Sequence, residues 1–167
     1  TCSNEDGNCT ATEQTIKLVA PSDLVYSGTA KNAAITTNQG DSFYVTNTTA
    51  EINLENNTIV NNDSTGNFLR IQKDSWGNSG SNGGTVTLNM ANQKATGNIV
   101  VDSISKLTMN LANSSSFSGA INSDNAGEVE LTLDSSSEVN LTGDTYIESL
   151  TNADTTNSNM HTNGHKL

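Results

Sequence analysis

Valine, isoleucine, leucine and methionine recur along this chain in short runs that alternate with polar residues, and each run is closed by Asn, Ser, Asp or Gly. Alternation with period two marks a strand with one buried face, and no stretch of a dozen residues carries apolar positions at helical spacing. Three runs align with one another: Val86, Leu88 and Met90; Leu107, Met109 and Leu111; Val129, Leu131 and Leu133. Their central residues stand 21 and 22 positions apart. Ile52 and Leu54, preceded by Ala50, form an earlier copy 36 residues before Leu88. That is one period plus an insertion of about 14 residues, placed by the sequence at 73–84 in a stretch of Asp, Ser, Trp, Asn and Gly.

Two further apolar elements follow each run. Ala95-Thr96-Gly97, Phe117-Ser118-Gly119 and Leu141-Thr142-Gly143 share an apolar, hydroxyl, glycine order, spaced by 22 and 24. Phe68-Leu69, Ile99 to Val101, Ile121 and Tyr146-Ile147 close the periods. Three short strands and polar corners in a period of about 22 residues make up one coil of a parallel β-helix. The fold class expected is therefore all-β, a single-stranded right-handed parallel β-helix. A leucine-rich solenoid would need convex helical or consensus-leucine segments that are missing. The fold requires Ile52, Leu88, Met109 and Leu131 to stack in one inward ladder.

The expected organisation is one domain over 1–167: a less regular capping region over 1–40, regular coils over 41–152, and the start of a further coil or tail over 153–167, as in a fragment of a longer protein. Leu24-Val25-Tyr26, Ala33 to Ile35 and Phe43 to Val45 fit an upstream coil, which brings the count to roughly six or seven. Asn56, Asn92, Asn113 and Ser135 stand at equivalent corners, where Asn suits left-handed backbone and stacked amides can form a ladder.

Only 32% of residues are apolar, too few for a thick globular core but enough to line the inside of a solenoid. Disorder would scatter those residues without a period. The net charge of −11 repels phosphate backbones and anionic membranes, which excludes nucleic acid as a partner. No run approaches the ~18 apolar residues of a membrane span, so membrane insertion is not expected. Cys2 and Cys9, the only cysteines, cannot furnish a closed zinc site, and a disulfide between them points to an extracytoplasmic compartment.

The Asn- and Thr-rich coils, such as the segment from Ala50 to Val60, resemble the β-helical passenger and adhesin-like repeats of bacterial surface proteins, over residues 40–152. The segment Leu24-Val25-Tyr26-Ser27-Gly28-Thr29-Ala30-Lys31 is similar to one common in modular repeats of large bacterial secreted proteins. The resemblance implies a secreted or cell-surface location and a binding or spacing role, and leaves the ligand open.

Parallel β-helices also resemble pectin-degrading lyases and polysaccharide hydrolases, whose catalysis uses clustered acids, often with calcium and a basic residue. Here the only arginine is Arg70, and Glu128, Glu130, Asp134, Glu138, Asp144 and Glu148 are dispersed. Glu128 and Glu130 share a strand face as solubilising charges. His161 and His165 have i, i+4 spacing, but Thr162-Asn163-Gly164 between them reads as an exposed turn. Asn4-Glu5-Asp6-Gly7-Asn8 lacks the spacing of a calcium loop. Six Asn-x-Ser/Thr sequons, from Asn8 to Asn140, arise readily in so Asn-rich a chain. No catalytic residue, metal site or cofactor is expected.

The candidate ligand-binding residues are Trp76, Asp74 and Asn78, because a lone indole in a polar insertion is not required by the repeat. Its two uses are sugar stacking and packing over a coil edge. The expected function is a non-catalytic structural or adhesive module that meets a glycan or a host or polymer surface. The alternative is a carbohydrate-binding or polysaccharide-degrading fragment. Ice binding is disfavoured, because the outward row of Thr85, Thr87, Thr108 and Thr132 does not continue through every coil.

Overall fold

The computed structural model describes residues 25–167, and every regular element among them is a β-strand. The first coil holds β1 (Val25–Lys31), β2 (Ala34–Thr37) and β3 (Phe43–Val45). The second holds β4 (Thr48–Glu55), β5 (Thr58–Asn61) and β6 (Leu69–Ile71), and the third β7 (Gly84–Ala91), β8 (Lys94–Thr96) and β9 (Ile99–Val101). In the fourth, β10 (Lys106–Ala112) and β11 (Ser116–Gly119) are closed by Ile121, which bridges to Ile99. The fifth has β12 (Glu128–Leu133) and β13 (Glu138–Leu141), and the sixth β14 (Ser149–Asn152) and β15 (Met160–His161).

Each strand pairs in parallel with its equivalent one coil away. One six-stranded sheet runs β1-β4-β7-β10-β12-β14, beside the sheets β3-β6-β9, β2-β5 and β8-β11-β13-β15. The molecule is a β-solenoid of about six turns.

The expected ladder is present. Ile52 pairs with Leu88, Leu88 with Met109, Met109 with Leu131, and Leu131 with Leu150. Beside it run Ala50-Val86-Leu107-Val129 and Leu54-Met90-Leu111-Leu133. On another wall Phe43, Leu69 and Ile99 are stacked. Phe68 lies edge-on to Phe43, with centroids 5.5 Å apart, and 6.1 Å from Phe117. Because strands alternate, every second residue faces water, which is how a chain so poor in apolar residues still closes a continuous core.

The outward positions are ordered too. Asn110 Nδ2 donates to Asn89 Oδ1 and Asn89 Nδ2 to Asn53 Oδ1, both at 2.8 Å. At the corners Asn32, Asn56, Asn92 and Asn113 have φ of 53°, 52°, 47° and 55°, the left-handed geometry that Asn tolerates. Of the amide ladder expected there, one bond is formed, from Asn56 Nδ2 to Asn32 Oδ1 at 2.8 Å; the next corners are joined through the backbone, by Asn56 N donating to the Asn92 carbonyl and Asn92 N to the Ala112 carbonyl.

Three details differ from the sequence expectation. Ser135 does not adopt the left-handed corner; in that coil Asp134 Oδ1 accepts from Ser136 N and Oγ, making a carboxylate-capped turn instead. The glycine copies align only for the first pair of strands: Phe117 faces Ala95, but it next faces Val139, and Gly119 faces Leu141. Strand β13 keeps the offset of 22 set by the main sheet, and the two extra residues fall in the corner after it, where Ile121 N donates to Thr145 Oγ1 across an offset of 24. Finally, the insertion is divided. The second coil is lengthened at 62–68 as well as at 72–83, since Leu69 to Ile99 spans 30 residues while Ile52 to Leu88 spans 36. Strands β1 and β2 pair in full register with β4 and β5. Cys2, Cys9 and the acidic loop between them lie outside the described residues.

Candidate functional site

The loop 72–83 leaves the end of β6 and returns at the start of β7, and it folds back over the corner between β3 and β4. Tyr44 follows from strand alternation: Phe43 and Val45 face the core, so Tyr44 points outward and is 39% exposed. Its hydroxyl donates to Asp74 Oδ2 at 3.2 Å. Burial, and next the Asp74 charge, raise the Tyr44 pKa, so the phenol holds its proton and stays a donor. Further along the loop Gly77, at φ 87°, lies so close to the corner that a Cβ there would stand 2.8 Å from the Asn47 side chain. Trp76, half-buried, sits between these two contacts; Asp74 and Asn78 are exposed.

The base of the loop is set by Asn82, a residue the sequence reading did not single out. It is 5% exposed, and its Nδ2 donates to the carbonyls of Asp74 and Trp76, each at 2.9 Å. Its own carbonyl accepts the Asn47 N–H at 3.1 Å. Among the described residues, the buried side-chain oxygens without a hydrogen-bond partner are Thr46 Oγ1, Thr48 Oγ1 and Asn82 Oδ1, all at the root of this loop.

Arg70 stands beside Tyr44 on the same outward row. Its Nε donates to Asp41 Oδ2 at 2.6 Å and its Nη2 to Asp41 Oδ1 at 3.3 Å, and that carboxylate also accepts the N–H and Nδ2 of Asn67, both at 2.8 Å. This cluster staples the loop 62–68 to the first coil.

Other acids hold turns or line an outer strand face. Asp63, Asp102 and Asp134 each cap their own turn with one carboxylate oxygen and accept a backbone N–H of the preceding coil with the other, from Gly40, Lys73 and Asn113 at 2.7, 2.8 and 2.7 Å. Asp144 accepts the Lys166 N–H at 3.1 Å, and Asp154 caps Thr156 and Ser158. Glu128 and Glu130 face outward beside Lys106, at 3.7 and 3.0 Å.

His161, expected in an exposed turn, is instead half-buried in β15, because the strand continues through it; only Asn163 and Gly164 turn. Its Nε2 lies 3.6 Å from Glu138, whereas His165 Nδ1 lies 3.8 Å from Asp144. Among the described residues no group of three or more His, Cys, Asp or Glu is placed to hold a metal ion.

Among the described residues, fold and site together define a parallel β-solenoid with polar outer faces and a long loop, 72–83, folded over the corner between β3 and β4. The chain matches no family model, no curated protein and no solved structure.

Proposed function

We propose that this chain is a non-catalytic structural or adhesive module of a secreted or cell-surface protein, comparable in role to bacterial β-helical passengers and adhesins. It meets a glycan or a host or polymer surface through the loop 72–83. The observation that supports this reading is the engagement of most of the described aspartates. Asp41 neutralises Arg70, while Asp63, Asp102, Asp134, Asp144 and Asp154 accept backbone N–H groups that hold turns and coils together. General acid–base work needs a carboxylate free to exchange a proton with substrate, and uronate elimination also needs an available cation.

Two measurements test the proposal. Incubation with neutral and acidic polysaccharides, with and without added calcium, should give no product, and the chain should adhere to an immobilised glycan or polymer panel. Product formation that disappears in Asp41→Asn or Asp74→Asn would overturn it.

A further inference from the structure

We propose that Tyr44, Asp74 and Trp76, seated on a base set by Asn82, form one binding site for an uncharged pyranose of a glycan chain. The proposal rests on the reading of loop 72–83 as the contact element. Trp76 is bracketed on both sides: Asp74 holds the Tyr44 hydroxyl at 3.2 Å, and Gly77 packs on Asn47. The backbone at Trp76 is thereby held at the corner that follows Tyr44, a residue 32 positions earlier in the chain.

The site is built in advance. Asn82 fixes the carbonyls of both Asp74 and Trp76 and ties them to the corner through the Asn47 N–H. One buried side chain thus sets the backbone of two site residues, and a preformed site spares the ligand the cost of ordering a loop.

The ligand class follows from the chemistry. An indole and a phenol each present a flat apolar face with a polar edge. A pyranose is complementary, with one face of C–H groups and a rim of hydroxyls. The Asp74 carboxylate, which already accepts from the Tyr44 hydroxyl and the Ser75 N–H, adds a negative charge to the site. It repels anionic substituents, as does a chain carrying a net charge of −11, so uronates and sulfated sugars are disfavoured.

Trp76 is the only tryptophan in the chain, so its intrinsic fluorescence reports from the site alone. The full chain would be titrated with cello-, chito-, manno- and galacto-configured hexasaccharides, and with hexagalacturonate. At least one neutral hexasaccharide should change the emission saturably while hexagalacturonate does not. Tyr44→Ala, an exposed substitution, should weaken that binding about tenfold, the loss of an aromatic anchor. Asn82→Ala should weaken it comparably and also shift the emission maximum before sugar is added, with cooperative melting checked by circular dichroism. If no neutral hexasaccharide perturbs Trp76, or if Tyr44→Ala binds as tightly as the parent chain, the site is wrong. Adhesion without any change in Trp76 emission would overturn this site and leave the adhesive reading standing; turnover would overturn that reading and leave the site.

Discussion

Between Gly84 and Leu141 an inward side chain meets its equivalents in the neighbouring coils, whereas the residues of loop 72–83 have no equivalent among the described residues. In the coils, position is set many times over: Leu88 is held by Ile52 on one side and Met109 on the other, and both neighbouring ladders repeat the register. In the loop it is set by single contacts, from Tyr44, Asn47 and Asn82. Redundancy makes the coils a scaffold in which no single inward contact sets the register. The loop is where such a scaffold can differ without unfolding, and the unpaired buried oxygens of Thr46, Thr48 and Asn82 lie in it or at the coil corner it covers.

The sharpest way to break the comparison is to put a charge inside the ladder. Leu131 is 1% exposed and Met109 fully buried, so Leu131→Asp or Met109→Asp buries a carboxylate with no partner. The cost is several kcal/mol, a large part of the roughly 5–15 kcal/mol that holds a typical domain folded. Loss of the cooperative melt is the expected outcome for both.

A milder test compares one ladder at two heights. Leu88→Ala should cost about 2–5 kcal/mol, the range for a leucine deleted from a packed interior. Ile52→Ala should cost less, about 1–2 kcal/mol, because its neighbour in the first coil is Gly28 and the side chain is only half-buried. Equal losses in urea melts would show that the end coils are packed as tightly as the middle.

The ladder was legible because period two along a strand and a spacing of 21 or 22 residues between strands are both properties of one line of text. The corner asparagines were legible for the same reason, recurring at the same distance after each run. Other features depend on contacts between residues that carry no mark. Asn82 is one of many asparagines, and only its burial under the loop distinguishes it. Tyr44 looked like a strand residue, and its role depends on Asp74, 30 positions later. The Leu141 misalignment came from matching a glycine motif by type, whereas backbone pairing holds the offset of the main sheet and leaves the extra residues to the next corner.

The carboxylate corners give a pH test that acts on the coils rather than the loop. Asp63 is held down at about 2, first by the Gly40 N–H and then by Thr65. Asp154 lies below its ordinary value through Ser158 and Thr156. At Asp134 burial works the other way, but the Asn113 N–H with Ser137 and Ser136 outweighs it and the pKa is lowered. A folded-state pKa below the unfolded one means that the fold binds fewer protons. The stabilisation is therefore complete above the unfolded value near 3.8 and is lost as pH falls from there through about 2. The melting temperature should drop across that window, and Asp63→Asn should make the drop shallower while lowering stability at neutral pH. A melting temperature flat from pH 4 to pH 2 would show that these carboxylates do not hold the coils together.

The smallest effect on stability is expected at the residue with the largest effect on binding. Trp76→Ala removes a half-buried indole from a loop that no ladder includes, and the Asn82 bonds that set the loop base go to backbone carbonyls, which alanine retains. Tyr44 still has Asp74, and Gly77 still meets Asn47. The melting temperature should stay nearly unchanged, within the roughly ±0.5 kcal/mol typical of surface substitutions. Binding to a glycan or polymer surface should weaken by about 1–3 kcal/mol, the usual cost of truncating an aromatic anchor. The opposite pattern, a large fall in melting temperature with adhesion intact, would mean that the indole packs over the coil edge and that loop 72–83 belongs energetically to the scaffold.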